Sequence, residues 1–181
     1  MDYGKTWTEL ENQTFITIPG NGGICLIRGK LTGNNDSSNL TKFYIRDYDL
    51  ECHGNVMSLY DYENPFNTSI VYKNALRILF EGCTKLLSAP ALPATTISDG
   101  CYLGMFNGCT KLSAAPALPA TTLGTYCYSA MFKDCIALTA SPALPATSLK
   151  DYCYERMFIG CSNLAEAPEL KATKLVTHCY D

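Results

Sequence analysis

A curved α/β solenoid of 26-residue strand–turn–helix units, preceded by a small antiparallel β module, is the fold that this sequence predicts. Three observations carry it. Phe80, Phe106, Phe132 and Phe158 stand 26 residues apart, as do Cys83, Cys109, Cys135 and Cys161, and Cys101, Cys127, Cys153 and Cys179. Between them one segment recurs as APALPAT (89–95), APALPAT (115–121), SPALPAT (141–147) and APELKAT (167–173). The copies drift in sequence but keep their spacing, which marks a structural unit that stacks. The organisation expected is therefore a β module over 1–70, acting as N-terminal cap, and about four repeats over 71–181.

Residues 1–70 read as strands and turns. Residues 14–18 alternate in polarity, 19–23 (PGNGG) form a turn, and 24–30 are a second apolar run. A loop is expected at 33–39, with further short strands at 43–46 and 56–60. Val71, Ala75, Leu76, Leu79 and Phe80 then occupy the helix positions of a copy that lacks its strand.

Within a repeat, comparing the copies separates inside from outside. Wound at about 100° per residue, the constant positions Leu123, Cys127, Tyr128, Met131, Phe132 and Cys135 fall on one half of a helical wheel. The variable positions Thr125, Tyr126, Ser129, Ala130 and Lys133 fall on the other half. The segment from Leu123 to Cys135 is thus expected to be a half-buried helix. Gly82, Gly108, Asp134 and Gly160 follow at the place where a left-handed C-terminal residue is needed. On the other arm Leu86, Leu112, Leu138 and Leu164 point inward, with Leu92, Leu118, Leu144 and Leu170. Pro116 and its equivalents keep that strand's hydrogen-bonded ladder only a few residues wide. Parallel strands stack at about 4.8 Å and helices at about 8–10 Å. That mismatch predicts curvature with the strands inside, a leucine-rich-repeat-like solenoid.

The last copy gains Glu166, Glu169, Lys171 and Lys174, as a water-exposed terminal repeat should. The chain stops at Asp181 without the Met-Phe pair of a next helix. That edge is expected to be truncated or completed by a partner, including a second copy of the chain.

The run GCTKLSAAPALPATTLGTYCYSAMF (108–132), with copies on either side, resembles the BspA-like leucine-rich-repeat proteins of gut and oral Bacteroidetes, whose repeats also resemble those of phage and prophage proteins of these bacteria. GNVMSL (54–59) followed by LFEGCTKL (79–86) is similar to the segment leading into their repeats, and YGKTWTEL (3–10) resembles a strand pair of their N-terminal module. The resemblance covers nearly the whole chain. It implies a leucine-rich-repeat solenoid, an extracellular or cell-surface location, and adhesion or host-protein binding. Family members generally carry a secretion signal. The N-terminus MDYGKTWTEL shows none, so a virion location or a trimmed form stands as the alternative.

Composition narrows the function. A formal net charge of −3 disfavours phosphate-tracking nucleic-acid binding, and no apolar run is long enough for a membrane span. The ten cysteines suggest staples or metal. Yet Cys127 and Cys135 on one helix would lie about 12 Å apart, beyond disulfide reach. No Cys-x-x-Cys spacing for zinc occurs. The eight repeat cysteines are expected to be buried thiols packed as small hydrophobes, while Cys25 and Cys52 either pair or stay free. His53 and His178 each adjoin a cysteine but belong to no carboxylate cluster, and read as solvated or locally bonded. Nothing converges into a catalytic constellation, so a non-catalytic protein without cofactors is expected.

Two surfaces remain for a protein or glycan ligand. One is the strand side, with Lys85, Lys111, Ala114, Ala117, Ala140, Ala143, Glu166 and Glu169. The other is an aromatic column, Tyr102, Tyr128, Tyr154 and Tyr180, for which inter-repeat packing is the competing role.

Overall fold

The computed structural model describes residues 42–45 and 47–181. The strands expected at 14–18 and 24–30, the turn at 19–23, the loop at 33–39 and Cys25 lie outside the described residues. Regular secondary structure is sparse. In chain order it comprises β1 (Leu50–Glu51), the short helix α1 (Met57–Tyr60), β2 (Ser69–Ile70), β3 (Leu86–Ser88) and β4 (Thr96–Ile97). β1 pairs in parallel with β3, and β2 in parallel with β4. The segment 56–60, expected as a strand, holds α1 instead. The antiparallel pairing expected before the repeats is also replaced, among the described residues, by parallel pairing onto the first repeat.

The repeats fall naturally into units 74–99, 100–125, 126–151 and 152–177, with 178–181 opening another. In each, the segment expected to be helical is a chain of tight turns. Every fourth residue there has positive φ: Gly100, Gly104 and Gly108 at 60°, 60° and 74°, then Tyr126, Ala130 and Asp134 at 56°, 52° and 58°. A continuous α-helix admits no such residues. Its N–H groups would all bond four residues back. Here alternate N–H groups bond three residues back, as Leu103 does to Gly100 and Met105 to Tyr102. The intervening ones leave the unit and bond the next, as Tyr102 does to Cys127, Gly104 to Ser129, Phe106 to Met131 and Gly108 to Lys133.

This hydrogen-bonding pattern sets the spacing. The rings of Phe80, Phe106, Phe132 and Phe158 stack with centroids 5.5, 5.7 and 5.9 Å apart. Those of Tyr102, Tyr128, Tyr154 and Tyr180 stack at 5.7, 5.6 and 5.6 Å. Both columns sit at strand-like spacing rather than at the 8–10 Å or so of packed helices. The difference in rise from which the sequence reading derives curvature is therefore absent from these arms.

On the other arm the prolines keep pairing thin. It consists of isolated parallel bridges, Thr96 with Thr122 and Leu144 with Leu170, and a few bonds such as Thr121 N–H to Thr95 carbonyl. Between the arms lies one continuous core. Leu86, Leu112 and Leu138, then Leu92, Leu118 and Leu144, then Ala94, Ala120 and Ala146 meet Met105, Met131, Phe80, Phe106 and Phe132, all buried, with Phe158 partly buried at the end of the column. Each large apolar side chain buried there contributes about 1.5–3 kcal/mol.

Segments of the described residues before 71 lie against the first unit. Phe43 donates its N–H to the Leu79 carbonyl and stacks its ring on Phe80 at 5.3 Å. Leu50, Cys52 and Val56 then donate to Lys85, Ser88 and Ala91.

Candidate binding surface

The strand side carries the polar groups that the sequence singled out, and the structure adds a partner to two of them. Lys85 and Lys111, equivalent residues of successive units, converge on Asp49: Lys111 Nζ is 2.8 Å from Asp49 Oδ1 and Lys85 Nζ 3.9 Å. The hydrogen bond from Lys111 holds the Asp49 carboxyl below the usual carboxylate range. Ala114, Ala117, Ala140 and Ala143 are exposed beside this cluster's side of the repeats, and Glu166 and Glu169 are exposed further along. The surface is thus a low, small-residue face with charge at its margins.

The tyrosine column is placed differently. Tyr102, Tyr128 and Tyr154 are each no more than 3% exposed, so their ring faces are taken up by one another. Only Tyr180 is partly open, at the end of the column. The hydroxyls of Tyr102 and Tyr154 are buried and find no hydrogen-bond partner. Their burial pushes both phenols up out of the titrating range.

A second aromatic row, absent from the sequence reading, lies on the surface. Tyr126 and Tyr152 stack at 4.4 Å, and Tyr152 stacks on His178 at 5.1 Å. Tyr126 is 38% exposed. All three occupy the first positive-φ position of their units, at 56°, 60° and 48°, where the two earlier units have Asn74 and Gly100. Bulky residues are uncommon in this conformation. Asp99 and Asp151, just before the row, accept the backbone N–H groups of Thr125 and Thr177 one unit later. His178 also contacts the Asp181 carboxylate.

The cysteines have a definite structural setting. None of the nine described ones is joined in a disulfide. In one column each thiol donates to the carbonyl of a phenylalanine one unit earlier: Cys109 to Phe80, Cys135 to Phe106 and Cys161 to Phe132, at 3.1, 3.1 and 3.0 Å. Cys83 makes the same bond to Phe43, at 3.2 Å. Burial pushes the Cys135 thiol up to about 12 and those of Cys101, Cys109 and Cys127 higher still. These groups are held as protonated donors, the opposite of the setting that activates a nucleophilic cysteine. His53 lies apart from them, 3.0 Å from Glu51. Among the described residues no group of three His, Cys, Asp or Glu side chains is placed to hold a metal ion, and no helix is long and apolar enough to cross a membrane.

At the C-terminal end a cavity of about 350 Å³ opens between the arms, lined by Leu144, Tyr154, Met157, Phe158, Leu170 and Tyr180 among others. Comparison of the chain with protein families, with curated proteins and with solved structures finds no match in any of the three.

Proposed function

We propose that the chain is a non-catalytic binding module, a leucine-rich-repeat-like solenoid that presents rows of equivalent side chains to a protein or glycan at a cell surface. The observation that carries this reading is the exposure of such rows at a spacing set by the stack: Lys85 and Lys111 around Asp49, and Tyr126, Tyr152 and His178 in one file. The resemblance to BspA-like surface proteins points the same way. A face this short of charge favours many weak contacts that add by avidity over one deep pocket.

An array of glycans and extracellular-matrix proteins, probed with the multimerised chain, tests the reading. Binding that falls at least tenfold in a Tyr126→Ser/Tyr152→Ser variant, or in a Lys85→Ala/Lys111→Ala variant, supports it; an array without hits removes it. A second reading is a virion or other assembly component, which the resemblance to phage and prophage repeats implies. Light scattering on the purified chain separates the two, since a clean monomer at micromolar concentration counts against self-assembly.

A further inference from the structure

Tyr126 and Tyr152, equivalent residues of successive units, stack at 4.4 Å with their ring planes 8° apart. The tyrosines of the core column stack at 5.6 and 5.7 Å, so the surface pair is the closer one. Backbone bonds of the turn ladder hold it in register, Tyr126 donating to the Asp151 carbonyl and Tyr152 to the Thr177 carbonyl. Both residues take positive φ, 56° and 60°, a conformation in which bulky side chains are uncommon. The two rings are thus presented face to face by the backbone. They remain open to solvent, Tyr126 being 38% exposed and Tyr152 half-buried.

The other tyrosine pairs differ in the features that matter for ring chemistry. Tyr102, Tyr128 and Tyr154 are buried, and the Tyr102 and Tyr154 hydroxyls have no partner to take a proton. Tyr60 and Tyr72 meet at 5.9 Å and 49°, so their faces are not opposed. Beside the surface pair, partial burial, the Tyr152 phenol and the Glu155 and Asp151 carboxylates push the Tyr126 phenol up. Tyr126 therefore keeps its proton at neutral pH, and electron and proton leave it together. Negative charge next to the ring also eases removal of that electron.

We propose that Tyr126 and Tyr152 are an oxidative cross-linking site, joined as a dityrosine by hydrogen peroxide and a haem peroxidase. The peroxidase removes one electron and the phenolic proton from each ring. Hydrogen peroxide takes up both electrons and both protons and becomes two waters. In each tyrosyl radical the unpaired electron is shared between the oxygen and the Cε carbons, in lobes perpendicular to the ring. Rings stacked face to face point those lobes at one another, so the coupling is intramolecular and already oriented. A Cε–Cε bond forms, and the hydrogens on the two bonded carbons move to the phenolic oxygens. The product is lighter than the starting chain by two hydrogens. The bond closes a loop through one whole unit and restrains the unfolded chain, as other cross-links do. The proposal stands whether or not the aromatic row binds a ligand.

The test treats the full chain, at low micromolar concentration, with one equivalent of hydrogen peroxide and a catalytic amount of haem peroxidase. Dityrosine fluorescence measures the yield, light scattering the size, and tandem mass spectrometry of a digest the linked residues. The expected product is a cross-link within one chain between Tyr126 and Tyr152, with a raised urea midpoint. Tyr126→Phe and Tyr152→Phe keep a stacked ring but should each lower the within-chain yield at least tenfold. Tyr128→Phe, in the buried column, should leave that yield unchanged. Cross-links only between chains, through the more exposed Tyr44 and Tyr48, overturn the proposal. So do a link mapped to Tyr128 or Tyr154, a within-chain yield that survives Tyr126→Phe, and the absence of dityrosine.

Discussion

Tyr102 and Cys135 show how tightly one position can be bound to its neighbours. The Tyr102 hydroxyl is buried with no partner, and an unsatisfied buried polar group costs about 1–3 kcal/mol. Tyr102→Phe keeps the stacked ring and removes that group. It should raise the unfolding free energy by about 1 kcal/mol, seen as a higher urea midpoint at unchanged slope. Cys135 titrates in the native state at about 12, because burial disfavours its thiolate, whereas an unfolded thiol titrates near 8.5. Between these values the native chain holds more protons than the unfolded one, so stability falls as pH rises. It is fully present below about pH 8 and declines above about pH 9, with Cys101, Cys109 and Cys127 shifted in the same direction. Urea midpoints at pH 7, 8, 9 and 10 should show a plateau and then a steepening loss. A midpoint unchanged to pH 10 would contradict the buried-thiol setting.

For the element, the decisive position is Ala130. It has φ of 52°, a conformation that costs an L-residue roughly 1–2 kcal/mol and glycine almost nothing. Ala130→Gly should therefore stabilise the chain by about 1 kcal/mol. In a helix the same change would destabilise by about as much, so the sign of the shift in denaturation midpoint separates the two structures. The sequence predicts a helix there, and the structure holds turns, for a definite reason. The turn arm repeats every four residues, and over the stretch from Leu123 to Cys135 a period of 4 drifts only about one residue from a period of 3.6. Inward positions Leu123, Cys127 and Met131, with Tyr128 and Phe132, satisfy both. Inside and outside were accordingly legible while the backbone was not. The signal that distinguishes them stands in one copy only, where Gly100, Gly104 and Gly108 recur at four-residue intervals, a density of glycine that no buried helix needs. The binding rows were harder to read. Tyr126 and Tyr152 stood among variable positions with Asn74 and Gly100 as counterparts, and Asp49 lies before the repeats, where no periodicity links it to Lys85 and Lys111.

At the scale of the whole molecule, position along the stack decides what an identical residue is worth. Leu144 and Leu170 are equivalent in sequence and paired by one bridge, yet one is buried and the other half exposed. Leu144→Ala should cost about 2–5 kcal/mol as a core truncation, and Leu170→Ala under about 1.5 kcal/mol, since little water-free surface is lost there. Equal costs would mean that the last unit is covered in solution. Of the ten cysteines, the eight within the repeats report packing in two files rather than a staple framework, and the low charge has the same origin in a chain that gives most of each unit to its neighbours.

The one-way N–H ladder has an electrical side as well. Peptide dipoles aligned head to tail sum, as they do along an α-helix. Here the summation runs across the units instead of along one segment, through Tyr102 to Cys127, Tyr128 to Cys153 and Tyr154 to Cys179 and their neighbours in parallel. The stack is thus a bundle of short parallel dipoles whose positive ends all point toward the following unit. Each added unit lengthens every dipole in the bundle together, so the field along the stack is a property of repeat number as much as of any charged side chain.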